Sequence, residues 1–256
     1  MRFLILRKAD DETEAGTRPT RELIEAMGDY VDTLAAEGRF LAGEGLKPSG
    51  EGVRVTFGPG REPIVVDGPF AETRELIAGF SIIDAASIDE AVEWVKGWPV
   101  EDAGGDARID IRPIGCPGGL SGFGDPSEGE SSRPRFMVML KANERSETDF
   151  DPGPEILGRM AEANRAGQDA GHLIAGQGLS SSRHAKRVAF SGGKATVLDG
   201  PFAEIKEMVA GFWVLRVDTL DDVLAWIATY PFPDGDDARL EIRELYRMEE
   251  LMPAAP

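Results

Sequence analysis

Two aspartates, one histidine and several arginines are the residues of this chain best suited to chemistry. Asp67 opens the tripeptide Asp67-Gly68-Pro69 and Asp199 opens Asp199-Gly200-Pro201, with Glu72 and Glu75, or Glu204 and Glu207, close behind. A carboxylate at such a turn either accepts backbone N–H bonds locally or stands at a pocket rim, where it can act as a general base. His172 is one of two histidines and the natural proton carrier near neutral pH, whereas His184 lies in a polar loop and reads as a surface residue. Asp67, Asp199 and His172 are therefore the expected catalytic residues.

The expected ligand-binding residues are Arg39, Arg112, Arg243, Glu72 and Glu204. Arg108 to Arg112 (RIDIR) and Arg239 to Arg243 (RLEIR) alternate, so the charged side chains of each share one strand face. That face looks either to solvent or into a space between paired sheets. In the second case the guanidinium groups suit an anionic ligand, because they bind carboxylates bidentately. No Gly-rich phosphate loop, HExxH, paired CxxC or nucleophile elbow is present, and neither a metal nor a cofactor is expected. Glu72 with Glu75, and Glu204 with Glu207, read as solvated carboxylates rather than a cation site. Cys116 is the only cysteine and reads as a linker thiol.

These residues sit in a duplicated frame. Residues 67 to 80 read DGPFAETRELIAGF and residues 199 to 212 read DGPFAEIKEMVAGF, identical at ten of fourteen positions. The upstream LAGEGLKPS (Leu41 to Ser49) and downstream SIDEAVEWVKGWP (Ser87 to Pro99) recur as IAGQGLSSS (Ile174 to Ser182) and TLDDVLAWIATYP (Thr219 to Pro231). On these residues the chain resembles the YCII-related proteins, in the branch named for its DGPF motif. The resemblance implies ferredoxin-like α+β domains that pair into dimeric α/β barrels, here as a tandem duplication. It also implies a His and Asp acid-base pair with the histidine on the first helix, yet residues 20–37 and 155–169 contain no histidine. Any chemistry then falls to Asp67 or Asp199, assisted by His172 or an arginine.

The rest of the sequence supplies the elements. Arg2 to Arg7 and Arg135 to Leu140 are short apolar runs suited to strands covered on both faces. Pro19 opens a helix with Leu23, Met27, Val31 and Leu34 on one stripe, and Pro152 or Pro154 opens its counterpart, weakened by Gly158 and Gly167. Gly38 and Gly171 stop these helices. Val53 to Phe57 with Ile64 to Val66 predicts an inserted hairpin, repeated by Arg187 to Phe190 with Ala195 to Leu198. Ser87-Ile88-Asp89-Glu90 and Thr219-Leu220-Asp221-Asp222 are capping boxes for a second helix, which Pro99 or Pro231 stops. The order is βαββαβ with an inserted hairpin, a ferredoxin-like pattern said twice. The expected domains are repeat 1 at 1–114, a flexible Gly/Ser/Pro/acid tether at 115–134, repeat 2 at 135–250 and a tail at 251–256. The two repeats are expected to close on each other as an intramolecular dimeric α/β barrel.

Forty-six acidic against 28 basic side chains give a net charge of -18, which repels phosphate backbones and argues against direct nucleic-acid binding. MRFLILRK is too short for a signal peptide and no apolar stretch could span a membrane, so a soluble, cytoplasmic protein is expected. Function reads as binding of a small anionic organic molecule in a barrel cavity, with lyase or isomerase acid-base chemistry as its enzymatic form. The sequence does not decide whether the chain is an enzyme. The alternative is a non-catalytic regulatory or interaction module. The resemblance suggests an extracytoplasmic-function sigma factor as its partner, and a further homodimer fits either reading.

Overall fold

The computed structural model describes residues 1–115, 133–233 and 237–251. Cys116, most of the expected tether and residues 252–256 of the expected tail lie outside the described residues. The first repeat runs β1 (Arg2–Lys8), α1 (Asp11–Glu14), α2 (Arg21–Ala36), β2 (Phe40–Gly45), β3 (Val53–Gly58), β4 (Arg61–Asp67), β5 (Ile77–Asp84), α3 (Ile88–Lys96) and β6 (Arg108–Pro113). The second runs β7 (Arg135–Lys141), α4 (Pro154–Asp169), β8 (Leu173–Gly178), β9 (Lys186–Ser191), β10 (Lys194–Asp199), β11 (Val209–Arg216), α5 (Leu220–Ile227) and β12 (Arg239–Glu244), with α6 (Met248–Leu251) after it. This is the expected α+β pattern of two ferredoxin-like halves.

The hairpins do not stay with the repeats that encode them. The strands form two six-stranded sheets, ordered β10-β9-β6-β1-β5-β2 and β4-β3-β12-β7-β11-β8. β9 of the second repeat pairs with β6 of the first, Arg187 opposite Asp110, and β3 of the first pairs with β12 of the second, Arg54 opposite Glu241. Each hairpin therefore completes the sheet of the other half. The exchange buries apolar surface on both sides: Val53 and Val55 enter the second half's helix-side core, and Val188 and Phe190 enter the first half's.

Strand alternation separates three cores. Phe3 and Ile5 of β1 face the first half's helices, while Leu4 and Leu6 face the opposite sheet; Phe136 and Val138 of β7 do the first, Met137 and Met139 the second. Leu4, Leu6, Phe80, Ile82, Met137, Met139, Phe212 and Val214 fill the space between the sheets, with the Phe80 and Phe212 rings 6.0 Å apart. The space between the sheets is thus filled largely by apolar side chains, with the buried charges of β6 and β12 beside them, Asp110 opposite Leu6 and Glu241 opposite Met139.

Local signals act as the residue types dictate. Thr219 and Asp222 form a reciprocal capping box at α5. At α3 the box is incomplete, because Glu90 accepts from Ala86 N–H and Arg39 instead of returning to Ser87. The polar stretch after β1, expected to be loop, holds the single turn α1, capped by Asp10 with Thr13 at 2.8 Å. Among the described residues no helix is long and apolar enough to cross a membrane.

Gly68 and Gly200 are fixed by space rather than by φ. A Cβ on either would strike the carbonyl oxygen of Ser49 or Ser182, because the Gly-Pro turn, cis in both copies, lies flat against that segment. By contrast a Cβ on Gly158 in α4 meets nothing within 4 Å. Gly200→Ala should therefore lower stability by about 2 kcal/mol or more, while Gly158→Ala should raise it by about 0.5–1 kcal/mol. Urea midpoints of the two variants should shift in opposite directions.

Candidate functional site

The exchanged hairpins deliver one arginine each into a buried charge cluster. In the first, Arg187 from β9 grips Asp110 of β6 at 2.5 and 2.9 Å, and Lys8 at the end of β1 lies 3.4 Å from Asp110 and 3.4 Å from Glu75. Glu75 also meets Arg187 and Arg108, each at 3.3 Å. In the second, Arg54 from β3 binds Glu241 of β12 at 2.9 and 3.1 Å and Glu207 at 2.7 Å, while Lys141 stands 3.5 Å from Glu241. The phenylalanine of each repeated phrase covers its arginine: Phe70 lies 4.3 Å beneath the Arg54 guanidinium and Phe202 4.4 Å beneath that of Arg187.

A second pair of arginines locks the phrase to the opposite half. Arg243 bonds the Lys47 carbonyl at 2.8 Å, Glu241 at 3.2 Å and Glu14 at 3.2 Å. Glu14 accepts from the N–H and hydroxyl of Ser49, whose oxygen accepts the Phe70 N–H at 3.2 Å. The mirror chain runs from Arg112 to Glu147 at 4.0 Å, then to Ser182 and the Phe202 N–H at 3.3 Å. Arg112 also donates to the Ser180 carbonyl at 2.8 Å.

Burial alone would push the Glu241 carboxyl up, but Lys141, Arg243 and Arg54 outweigh it and bring its pKa down to about 2. Asp110 is likewise held below its ordinary range, burial being overcome by Lys8, Arg187 and Arg112. Burial pulls Lys141 and Arg112 below their usual values.

An open cleft of about 610 Å³ lies beside the second cluster, lined by Asn143, Glu144, Arg145, Ala203 to Glu207 and Arg239. Repeat 1 treats the equivalent positions differently. There Arg108 is paired with Glu75, and Arg7 reaches across to Asp10 at 2.7 Å and to Asp102 at 2.5 Å. In repeat 2, Leu140, Asn143 and Arg145 stand where repeat 1 has Arg7, Asp10 and Glu12. Arg239, the counterpart of Arg108, donates only to the Ala142 carbonyl, at 3.2 Å, and has no acidic partner among the described residues. Arg145 lies 3.6 Å over the Phe150 ring.

The expected site residues fall into three groups. Arg112 and Arg243 are buried at the seam between the sheets, and Glu204 lines the cleft 3.9 Å from Arg187. Glu72 is half exposed, 3.8 Å from Arg54. Asp67 and Asp199 are exposed at the ends of β4 and β10, Asp199 paired with Lys186 at 2.5 Å. His172, half buried, joins α4 to β8 at the far edge of the other sheet from Asp199, and Arg39 is tied to Glu37 and Glu90 on an outer surface. Sequence reasoning missed Lys8, Lys141, Arg54 and Arg187. The available signal was an arginine followed by valine at the matching place in both hairpins, VRV at Val53 to Val55 and KRV at Lys186 to Val188. Among the described residues no group of three or more His, Cys, Asp or Glu side chains is placed to hold a metal ion.

A family model of the YCII-related domain matches residues 1–114 and again residues 135–249. The chain belongs to the YCII-related family. A second comparison finds an uncharacterized protein of Rhizobium meliloti (strain 1021), 57% identical over 35 residues, which are 14% of this chain and 28% of that protein. The aligned segment is thus well under two thirds of that relative's length. Among solved structures the chain is similar to an anthrone oxidase-like protein, with 10% identity, a TM-score of 0.36 and coverage of 100% of this chain and 95% of that one. It is also similar to a mutant chlorite dismutase from Candidatus Nitrospira defluvii in complex with cyanide, at 9% identity and a TM-score of 0.38, covering 98% and 92%.

In this YCII-related chain the buried pairs make stability depend on acid. A carboxylate whose folded pKa is depressed contributes stability above its unfolded pKa and loses that contribution as pH falls through the folded value. Glu241 therefore supports the fold at neutral pH and ceases to do so between about pH 4.5 and about pH 2. Denaturation midpoints should fall across that window, and Glu241→Gln should flatten the fall. At neutral pH, Arg187→Met should cost about 3–5 kcal/mol by leaving Asp110 short of its main partner, and adding Asp110→Leu should recover part of that loss.

Proposed function

We propose that this YCII-related protein binds a small organic anion, and that its site is the cleft of the second repeat. The observation that supports this most directly is the state of Arg239, a half-buried guanidinium at the cleft with no carboxylate partner among the described residues, where Arg108 has Glu75. Guanidinium binds carboxylates in a two-pronged geometry, and a low-polarity surround strengthens the pair. Ala203 and Ile205 provide apolar lining for the body of such a molecule, and Asn143 a neutral donor where repeat 1 carries Asp10. Asp10 to Asn143 and Glu12 to Arg145 together remove two negative charges and add one positive charge beside the cleft. Both changes favour an anion in repeat 2 over repeat 1.

Thermal-shift screening against small organic acids should find a stabilising compound, with a shift that rises with concentration. Arg239→Ala should weaken that compound about tenfold or more, whereas Arg108→Ala should leave its affinity near wild type. None of Asp67, Asp199 and His172 lines the cleft, so this reading gives them no part in holding the ligand. Asp199→Asn and His172→Ala should bind as wild type does, and turnover lost with binding retained would assign them to an acid-base step. No shift with any acid, together with co-purification of a sigma factor, would replace this reading with that of an interaction module.

A further inference from the structure

The outer strands of the exchanged hairpins, β4 and β10, are both sheet edges, and they are not protected alike. Backbone direction follows from the bonds just past each strand. Gly200 N–H donates inward to Ala185 and the β9–β10 register is unbroken, so even-numbered residues of β10 face the hairpin partner and odd-numbered ones face out; in β4 the same alternation holds from Ile64 to Asp67, before the register shifts. The edge of β4 is interrupted by that shift, where Pro63 has no N–H to offer, and such an irregularity blunts an edge. The outward set of β10 is Ala195, Val197 and Asp199, whose backbone donors and acceptors meet no further strand among the described residues. Val197 and Leu198 are 36% and 48% exposed.

We propose that a second copy of this chain pairs antiparallel with β10 through its own β10, joining two six-stranded sheets into one of twelve strands. A twofold axis perpendicular to the sheet through Val197 sets Val197 against its symmetry mate and Ala195 against Asp199 on either side. All of these are outward-facing residues, so the edge is complementary to itself. Charge permits it despite the chain's total of -18: β10 carries one cation, Lys194, and one anion, Asp199, and Asp199 is already paired with Lys186. The contact also continues an established interface, since β10 already extends the first half's sheet by strand addition across the seam between the halves.

The test is sedimentation velocity of the full chain over a concentration series at about 0.15 M salt, where charges more than about 8 Å apart are screened. Wild type should pass from monomer to dimer as concentration rises. Val197→Pro removes an outward donor without breaking a rung to β9, and it should weaken association about tenfold or more while the thermal midpoint at low concentration stays near wild type. Should the proline variant fold poorly, Val197→Lys places a charge on the same edge and should have the same effect on association. A wild type that stays monomeric throughout, a dimer that both variants leave intact, or an edge that takes up an extended peptide but no second copy would each overturn the proposal.

Discussion

The structure depends on two arginine-carboxylate pairs that cross from one repeat to the other, Arg187 to Asp110, both buried, and half-buried Arg54 to buried Glu241. Each pair sits one register step from a buried apolar pair, Val188 opposite Ile109 and Val53 opposite Ile242, so apolar burial supplies the driving force and the charges fix the register. A slip of one residue would turn the valines away from the core and leave four charged groups stranded. Lys8 and Lys141 add a second cation to each cluster, while Arg112 and Arg243 tie the clusters to the repeated Gly-Pro-Phe turns. The turn's glycine, proline and phenylalanine thus serve one arrangement: close approach to the serine segment, a fixed bend, and a ring beneath the arginine.

Much of the architecture was legible in the residues. Strands expected at residues 2–7, 108–112 and 239–243 run one residue further at most, and the helix stops at Gly38 and Gly171 carry the left-handed φ of 67° and 75° that such stops use. The alternation in RIDIR and RLEIR left open whether the charged face met solvent or the opposite sheet; Asp110, Arg112, Glu241 and Arg243 take the second course and are buried. The exchange of hairpins was not legible. Val53 and Val55 announce a half-buried strand, but an apolar stripe does not say whose core it enters. Lys8 and Lys141 end apolar runs, a position that looks like a strand reaching water, and only the crossing arginines with their carboxylates explain why both lie inside. The acid-base candidates were chosen by residue type, which carries no information about distance, and Asp199 and His172 lie on different sheets.

The two halves show how duplication separates roles without changing the frame. Repeat 1 closes its cluster with its own ion pairs, Arg108 with Glu75 and Arg7 with Asp10 and Asp102. Repeat 2 keeps Lys141, Glu207 and Glu241, which the fold requires, but Glu207, the counterpart of Glu75, is taken by Arg54 and Lys141, and Arg239 has no acid among the described residues. A polar group released from structural duty in this way is the simplest starting point for recognising something from outside.

The hairpin exchange also limits how this gene can be cut. Neither repeat encodes a whole sheet: severed from its sibling, repeat 1 would keep β6 with a bare edge and Asp110 without its arginine, and repeat 2 would keep β12 and Glu241 in the same condition. The unit of folding is therefore the pair, and the boundary that the repeat pattern draws in the sequence is not a boundary at which the molecule comes apart. Substitutions in one repeat's hairpin are felt by the other repeat's sheet, so the two copies are bound to drift together even where their own sites diverge.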